Sequence, residues 1–348
     1  MIEVLQTLPL NSVQDLGRIG QRHHGIARTG AADRVALSVG NILLGNSTEA
    51  AGIEVQMGPM RLLFNQQIMV ALCGADCQAV LNQRQVAPWS RFAVAPGDEL
   101  AIGPARMGLR AYLCVPGGID VPEVLGSRST YFRQRVGGLE GRMLRVGDKL
   151  GALKKSAQPQ PELSVLPPDN VLERGLHALA EQDDIVLRVV RAGEYDDFTS
   201  RSQQTFWRDP WRVSAQSNRM GYRLDGAELM RTDPGEMRSC PITPGVIQVP
   251  PGGRPIVQLV DGNSAGGYPK IGYVIEADLW RVAQARPGSV FRFVECSVTE
   301  ARKALSEIVK YLDRLGCLIA TADNGGVPAR ISRETEAGMA NDENRYQF

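Results

Sequence analysis

Ile256-Val257-Gln258-Leu259-Val260 runs straight into Asp261-Gly262-Asn263-Ser264-Ala265-Gly266-Gly267-Tyr268-Pro269-Lys270-Ile271. A short apolar run with β-branched residues, closed by a glycine-dense polar stretch, reads as a strand entering a loop. The same form recurs along the chain. Ile68-Met69-Val70-Ala71-Leu72, Ile185-Val186-Leu187, Val246-Ile247-Gln248-Val249 and Val290-Phe291-Arg292-Phe293-Val294 are further strand candidates. Pro96-Gly97-Asp98-Glu99-Leu100, Val146-Gly147-Asp148-Lys149-Leu150 and Pro287-Gly288-Ser289-Val290 are turns that feed strands. The pattern predicts a mainly β protein with a few helices and closed or rolled sheets.

Two segments break the pattern with helical spacing. Asp33 to Leu44 places Val35, Leu37, Val39, Ile42 and Leu43 on an apolar face and ends at Gly45-Asn46. Thr299 to Leu315 carries Ala301, Leu305, Ile308, Tyr311 and Leu312, with Ser297 or Thr299 as its cap. The expected organisation is a first β lobe over 1–152, a linker over 153–183 and a second β lobe over 184–298. A C-terminal helix over 299–320 and a polar, disordered tail over 321–348 complete it. Gln158-Pro159-Gln160-Pro161-Glu162 marks the linker, with a short helix expected around Val171 to Leu179.

A chain of 348 residues is long enough for two cores. Its 39 basic and 38 acidic residues leave a net charge of +1, which argues against a nucleic-acid groove and against docking on acidic lipid. No apolar run reaches the roughly 18–20 residues of a membrane span. Met1-Ile2-Glu3-Val4 enters a strand-like alternation at once, so the expected location is the cytoplasm. Six cysteines sit mostly in apolar runs and read as buried free thiols. Cys73 and Cys77 lack a second Cys/His pair, and only His23, His24 and His177 are present, so no metal site is expected. The chain has neither a Walker A motif nor a Met-Lys-Met biotinylation motif, and so carries no covalent biotin.

Four loop constellations hold chemistry-bearing groups. Val13-Gln14-Asp15-Leu16-Gly17-Arg18, with Arg28-Thr29-Gly30-Ala31-Ala32-Asp33, meets a helix start that either holds an anion or is simply capped by Thr29 or Asp33. Gly117-Gly118-Ile119-Asp120-Val121-Pro122, Leu125-Gly126-Ser127-Arg128-Ser129-Thr130 and Gly137-Gly138-Leu139-Glu140-Gly141-Arg142 permit close backbone approach and offer guanidinium groups, or are tight turns with solvated arginines. Phe206-Trp207-Arg208-Asp209-Pro210-Trp211 leads into Ser217-Asn218-Arg219-Met220-Gly221-Tyr222-Arg223-Leu224, a candidate polar pocket or a structural loop with tryptophan anchors. In the loop after Val260, a Gly-Gly turn folded back would join Asp261 and Lys270 beside Tyr268, a set suited to polarising a carbonyl or phosphoryl group; a surface turn with a weak ion pair is the alternative. Gly262-Asn263-Ser264-Ala265-Gly266 also spells a nucleophile elbow, but Gly267-Tyr268-Pro269 is a poor helix start and no histidine follows His177.

In this order the motifs resemble the allophanate hydrolase subunit 2 family of biotin-dependent carboxyltransferase proteins. The resemblance rests on Val13 to Arg18, Thr29 to Asp33, Gly117 to Pro122 with Leu125 to Thr130, Ser217 to Leu224, and Gly266-Gly267-Tyr268-Pro269. It covers roughly residues 3–298 and implies two cyclophilin-like β-barrel lobes. Phe206 to Trp211 leading into Gln216 to Arg219 looks most like the branch that serves ATP-dependent 5-oxoprolinase as its C subunit. That branch implies partner subunits B and A, ATP as co-substrate of the complex, and 5-oxoproline as the substrate opened to glutamate, with the lactam activated by phosphoryl transfer. It implies no nucleic acid, no membrane and no activity of this chain alone. The family pattern before Gly-Gly-Tyr-Pro is Arg-Gln-Thr-Thr; here it is Gly262-Asn263-Ser264-Ala265, which loses a guanidinium and a hydroxyl.

Residue type and motif position nominate Asp261 and Lys270 as catalytic. Arg219, Tyr222, Tyr268, Asn218 and Asp33 are nominated for substrate binding, with Arg128 and Ser129 as further loop candidates. Two rival functions are kept. One is carboxyl transfer from biotin to urea or a related amide. The other is a non-enzymatic, regulatory role bound to a kinase inhibitor that resembles the B subunit.

Overall fold

The structure, a computed structural model, describes residues 1–154, 160–168, 184–233, 235 and 237–324. The expected linker helix and the polar tail beyond 324 lie outside the described residues. As expected, the protein is mostly β.

Residues 2–164 build two sheets. One runs in the order Ile119–Asp120, Lys149–Ala152, Ile2–Gln6, Met60–Phe64, Glu99–Ile102, Val80–Leu81, Arg84–Gln85. The other runs Leu163–Ser164, Ser90–Val94, Ile68–Asp76, Met107–Cys114, Gly52–Gln56, Ser12–Gln14. Strand Ile68–Asp76 shows why its sequence reads as an unbroken apolar run. Ile68, Val70 and Leu72 face the core between the sheets, with Ile2, Phe64 and Ile102. Met69, Ala71 and Cys73 face the other way, onto helix α1, Arg34–Leu43. A strand covered on both faces has no polar alternation to display. Residues Ala111 and Leu113 on one face, Tyr112 and Cys114 on the other, repeat the arrangement in Met107–Cys114. Gly40 of α1 meets this sheet so closely that a Cβ would lie 2.7 Å from the Cys114 Sγ.

Residues 185–295 form a closed seven-stranded barrel. Its order is Ile185–Arg191, Lys270–Val274, Val246–Gln248, Ile256–Gln258, Gly221–Asp225, Trp211–Val213, Val290–Glu295. A parallel pairing of Ile185–Arg191 with Val290–Glu295 closes the ring. Helix α2, Ser200–Arg208, starts at a Thr199 cap and delivers Phe206 to the barrel core. Trp211 is fully buried there and donates its indole N–H to the Phe206 carbonyl at 3.1 Å. The core-anchor reading of Trp211 therefore holds. All six cysteines are free; Cys73, Cys77 and Cys114 are buried and Cys317 is exposed.

Helix α3, Leu279–Gln284, and helix α4, Val298–Asp323, join the two halves. Ser297 caps α4 in a capping box with Glu300. Ile308, Leu312, Leu315 and Ile319 form one stripe of α4 and pack into the cluster that contains α1 and Trp280. No helix among the described residues is long and apolar enough to cross a membrane.

Candidate functional site

The loops singled out by sequence converge where the two halves meet. Gly17 and Gly30 lie backbone to backbone: a Cβ on Gly17 would sit 2.6 Å from the Arg28 carbonyl oxygen, and one on Gly30 would sit 2.7 Å from the Gly17 nitrogen. Both have positive φ, which glycine alone adopts without strain. The Arg18 amide donates to the Arg28 carbonyl at 2.6 Å and the Ala31 amide to the Asp15 carbonyl at 2.8 Å, which fixes the approach. Asp15 then gathers the second constellation: its carboxylate accepts from the Gly17 amide at 2.8 Å, from the Ser127 hydroxyl at 2.7 Å and from the Ser129 hydroxyl.

At the end of this loop Asp33 caps α1, accepting from the Ala36 amide at 2.8 Å, and its other oxygen accepts from Gln284 Nε2 of α3 at 2.7 Å. Of the two sequence readings of this helix start, the cap by Asp33 is the one seen. Tyr112 links it to a buried carboxylate. The Tyr112 hydroxyl accepts from the Asp33 amide at 2.8 Å and donates to Glu54 Oε2 at 2.7 Å.

Glu54, fully buried in strand Gly52–Gln56, is the hub. Arg219 Nη1 donates to its Oε1, and the Arg110 guanidinium lies 3.6 Å from the same oxygen. Arg219 also grips Asp261 with two bonds, Nε to Oδ2 at 2.8 Å and Nη2 to Oδ1 at 3.0 Å, and donates to the Gly30 carbonyl at 2.6 Å. Tyr222 completes the cluster, accepting from Arg110 Nη1 at 2.9 Å and donating to the Ala285 carbonyl at 3.1 Å. Two guanidiniums and two carboxylates balance in charge. Burial by itself would raise the Glu54 pKa, but Arg219 and Arg110 outweigh it and hold the carboxyl below its ordinary range. Burial likewise works to lower the Arg219 pKa, and Asp261 and Glu54 more than reverse it.

The residues nominated from sequence thus divide. Arg219, Tyr222 and Asp33 are buried in contacts that bind the two halves together, and Ser129 is buried on Asp15. Arg128 is half-buried, with Nη1 on the Val121 carbonyl and Nη2 3.8 Å from Glu123. Tyr268 is 47% exposed and Asn218 is exposed, its Oδ1 accepting from the Met220 amide at 2.8 Å. Asp261 is half-buried at the rim.

The expected pairing of Asp261 with Lys270 is replaced by two separate ion pairs. Asp261 binds Arg219, while Lys270 Nζ lies 2.6 Å from Glu194 Oε1. The chain between them does not fold back as one tight turn. Ala265–Gly266 leaves the barrel to pair with Cys240–Pro241, and Lys270 has already re-entered a barrel strand opposite Gln248. No helix follows Ser264, in keeping with the rejection of a nucleophile elbow. Loops of the first half reach this ribbon: Arg133 Nη1 donates to Asn263 Oδ1 at 3.0 Å, and Arg22 to the Asn263 carbonyl at 3.5 Å.

Sequence reasoning passed over Glu54, Arg110, Tyr112 and Gln284. A signal existed for two of them. Glu54 and Arg110 each interrupt an apolar strand, Gly52-Ile53-Glu54-Val55 and Leu109-Arg110-Ala111-Tyr112, and a charge in such a place needs a partner.

Residues 24–295 match the model of the carboxyltransferase domain, subdomain A and B. The chain is 40% identical over 315 residues to the C subunit of 5-oxoprolinase from Escherichia coli, covering 90% of this chain and 97% of that protein. Urea amidolyase of Lachancea kluyveri is 34% identical over 318 residues, which are 86% of this chain and 17% of that one. Among solved structures, K. lactis urea amidolyase superposes with a TM-score of 0.81 at 32% identity, over 90% of this chain and 20% of that chain.

Proposed function

The chain belongs to the family of carboxyltransferase domains with subdomains A and B, and from that premise we propose that it acts as the C subunit of an ATP-dependent 5-oxoprolinase. One observation carries the reading. The match to the E. coli C subunit spans 97% of that protein, whereas the urea enzymes share only a fraction of their length with this chain, at lower identity. In the proposed complex, partner subunits B and A and ATP join this chain in the cytoplasm. The lactam oxygen of 5-oxoproline takes the γ-phosphoryl group of ATP and releases ADP. Water then adds to the activated carbon, the ring C–N bond breaks with the ring nitrogen taking the proton to leave an acyl phosphate, and a second water displaces phosphate to give glutamate.

The proposed contact surface is the rim of the barrel carrying Tyr268, Asn218 and Asp261. Tyr268 and Asn218 stand out to meet substrate or the B subunit. Asp261 orients the lactam amide, and Arg219, which grips both its oxygens, acts by holding it. For Lys270 to bind a phosphoryl oxygen it must exchange Glu194 for the incoming anion. The experiment is reconstitution: this chain is mixed with candidate A and B subunits, and glutamate and ADP are measured from 5-oxoproline and ATP. Turnover that needs all three chains is expected. A stable complex with the B subunit and no turnover would sink the reading.

The TM-score of 0.81 to urea amidolyase favours a second reading, carboxyl transfer to urea or a related amide. Its discriminating arm adds a biotinylated carrier protein and urea in place of 5-oxoproline.

A further inference from the structure

A second, partly buried charged cluster lies near the candidate site, and the proposed reaction does not use it. A pocket opens where the first half, the barrel and α4 meet, walled by Arg28, Arg34, Val260, Glu276, Trp280 and Ile308. Its inner space, about 30 Å³, has room for two or so water molecules and hence for the head of a small anion.

Of the four polar side chains that line this pocket, Arg28, Arg34 and Trp280 are donors and Glu276 is an acceptor. Arg34 Nη1 donates to Glu276 Oε1 at 2.9 Å. Arg28 buries Nε and Nη2 with no hydrogen-bond partner among the described residues, and Trp280, itself 7% exposed, buries its indole N–H in the same condition. Burial and the neighbouring Arg28 push the Arg34 pKa down to about 10 against the pull of Glu276 and Glu49. Burial lowers the Arg28 pKa too, with Glu276 opposing, and Arg22 is lowered by burial and by Arg28. Arg34 pairs with the Glu276 carboxylate, while Arg28 Nε and Nη2 and the Trp280 indole N–H have no hydrogen-bond partner among the described residues. Desolvated donors without acceptors cost free energy, and a ligand that supplies the acceptors recovers it.

We propose that this pocket is a binding site for a small carboxylate, held by the Arg28 guanidinium and the Trp280 indole N–H. The volume admits a carboxylate head. Because α1, the barrel and α4 all contribute walls, an occupied site ties the two halves to the C-terminal helix. The inference stands apart from the oxoprolinase reading, since it concerns binding by this chain alone.

The test uses the full chain labelled with 15N-tryptophan. Its four tryptophans give four indole resonances, and Trp280→Phe assigns the relevant one. Sodium acetate is titrated against sodium chloride at matched ionic strength. A saturable shift of the Trp280 resonance with acetate and not with chloride is expected. Arg28→Gln should weaken acetate by about ten-fold or more, the loss of a charge-assisted hydrogen bond, and Arg28→Lys by less. Far-ultraviolet circular dichroism establishes that each variant is folded. A Trp280 resonance that does not move, moves equally with chloride, or titrates unchanged in Arg28→Gln overturns the proposal.

Discussion

Two clusters of buried arginines lie side by side at the junction of the halves, and they differ in how charge is matched. Around Glu54, the guanidiniums of Arg219 and Arg110 face the carboxylates of Glu54 and Asp261. Around Trp280, Arg28 and Arg34 face Glu276, whose side chain is 34% exposed. In the first cluster every charge has an opposite within the protein, although Arg110 Nε and Nη2 make no hydrogen bond among the described residues. In the second, the unpartnered donors, Arg28 Nε and Nη2 and the Trp280 indole N–H, belong to residues that line a pocket, where a ligand can reach them. Ligand chemistry belongs where unpartnered donors border open space: a buried ion pair holds structure, and donors on residues that line a pocket invite a ligand.

The largest expected effect breaks the balanced cluster. Glu54→Gln removes the carboxylate shared by Arg219 and Arg110 and leaves both guanidiniums buried without it. A loss of about 3–5 kcal/mol is expected from stranding a buried charge. Urea denaturation of wild type and variant would measure it. A variant as stable as wild type would show that Asp261 alone satisfies the cluster.

Acid tests the same cluster without mutation. The folded Glu54 pKa lies below its unfolded value, so its stabilisation is full above the unfolded carboxyl range, about 4.3. It is lost as pH falls through the lower folded value. Wild-type stability should therefore fall more steeply below about pH 4 than that of Glu54→Gln, which takes up no proton at this position. Parallel pH profiles would assign the acid sensitivity elsewhere.

The contrast also explains what could be read from the sequence. The strands were legible because apolar runs bounded by Gly, Pro and Asp sit on sheets buried on one or both faces, as in Ile68–Asp76. Helix α1 was legible from its apolar spacing and Asp33 cap. The strand Ile256–Gln258 ended before its apolar run did, because Leu259 to Gly262 turns along Arg219 and Met220: the Leu259 amide donates to the Met220 carbonyl and the Asp261 amide to the Arg219 carbonyl, each at 3.0 Å. Motif position found Arg219, Asp261, Tyr222 and Asp33, but residue type could not say whether a guanidinium would meet substrate or a carboxylate 165 residues away in sequence. That pairing is a property of how two sheets and a barrel dock, and local pattern does not encode it.

Asp33 sharpens the comparison from between the clusters. It caps α1, receives Gln284 from α3 and reaches Glu54 through Tyr112, so it belongs with the Glu54 cluster although it opens the helix whose first residue is Arg34. Asp33→Ala should cost about 1–2 kcal/mol, the worth of an N-cap. Asp33→Asn, which can still accept from the Ala36 amide, should recover most of that loss. Thermal melts of the two variants decide the point; equal losses would locate the effect in the carboxylate charge and not in the cap.

The smallest effect on stability is the most telling, because its sign separates the clusters. Arg28→Gln takes one positive charge from beside Arg34 and relieves the repulsion on it. In the absence of carboxylate ligands the variant should lie within about 0.5 kcal/mol of wild type, on the stabilised side. Arg219→Gln, made in parallel, should lose several times that amount, since it strands Glu54 and Asp261. Added acetate should then raise the melting temperature of the wild type more than that of Arg28→Gln at the same concentration, because only a ligand bound to the folded state shifts its stability. If Arg28→Gln proved as damaging as Arg219→Gln, Arg28 would have to be satisfied within the protein, and the two clusters would be alike.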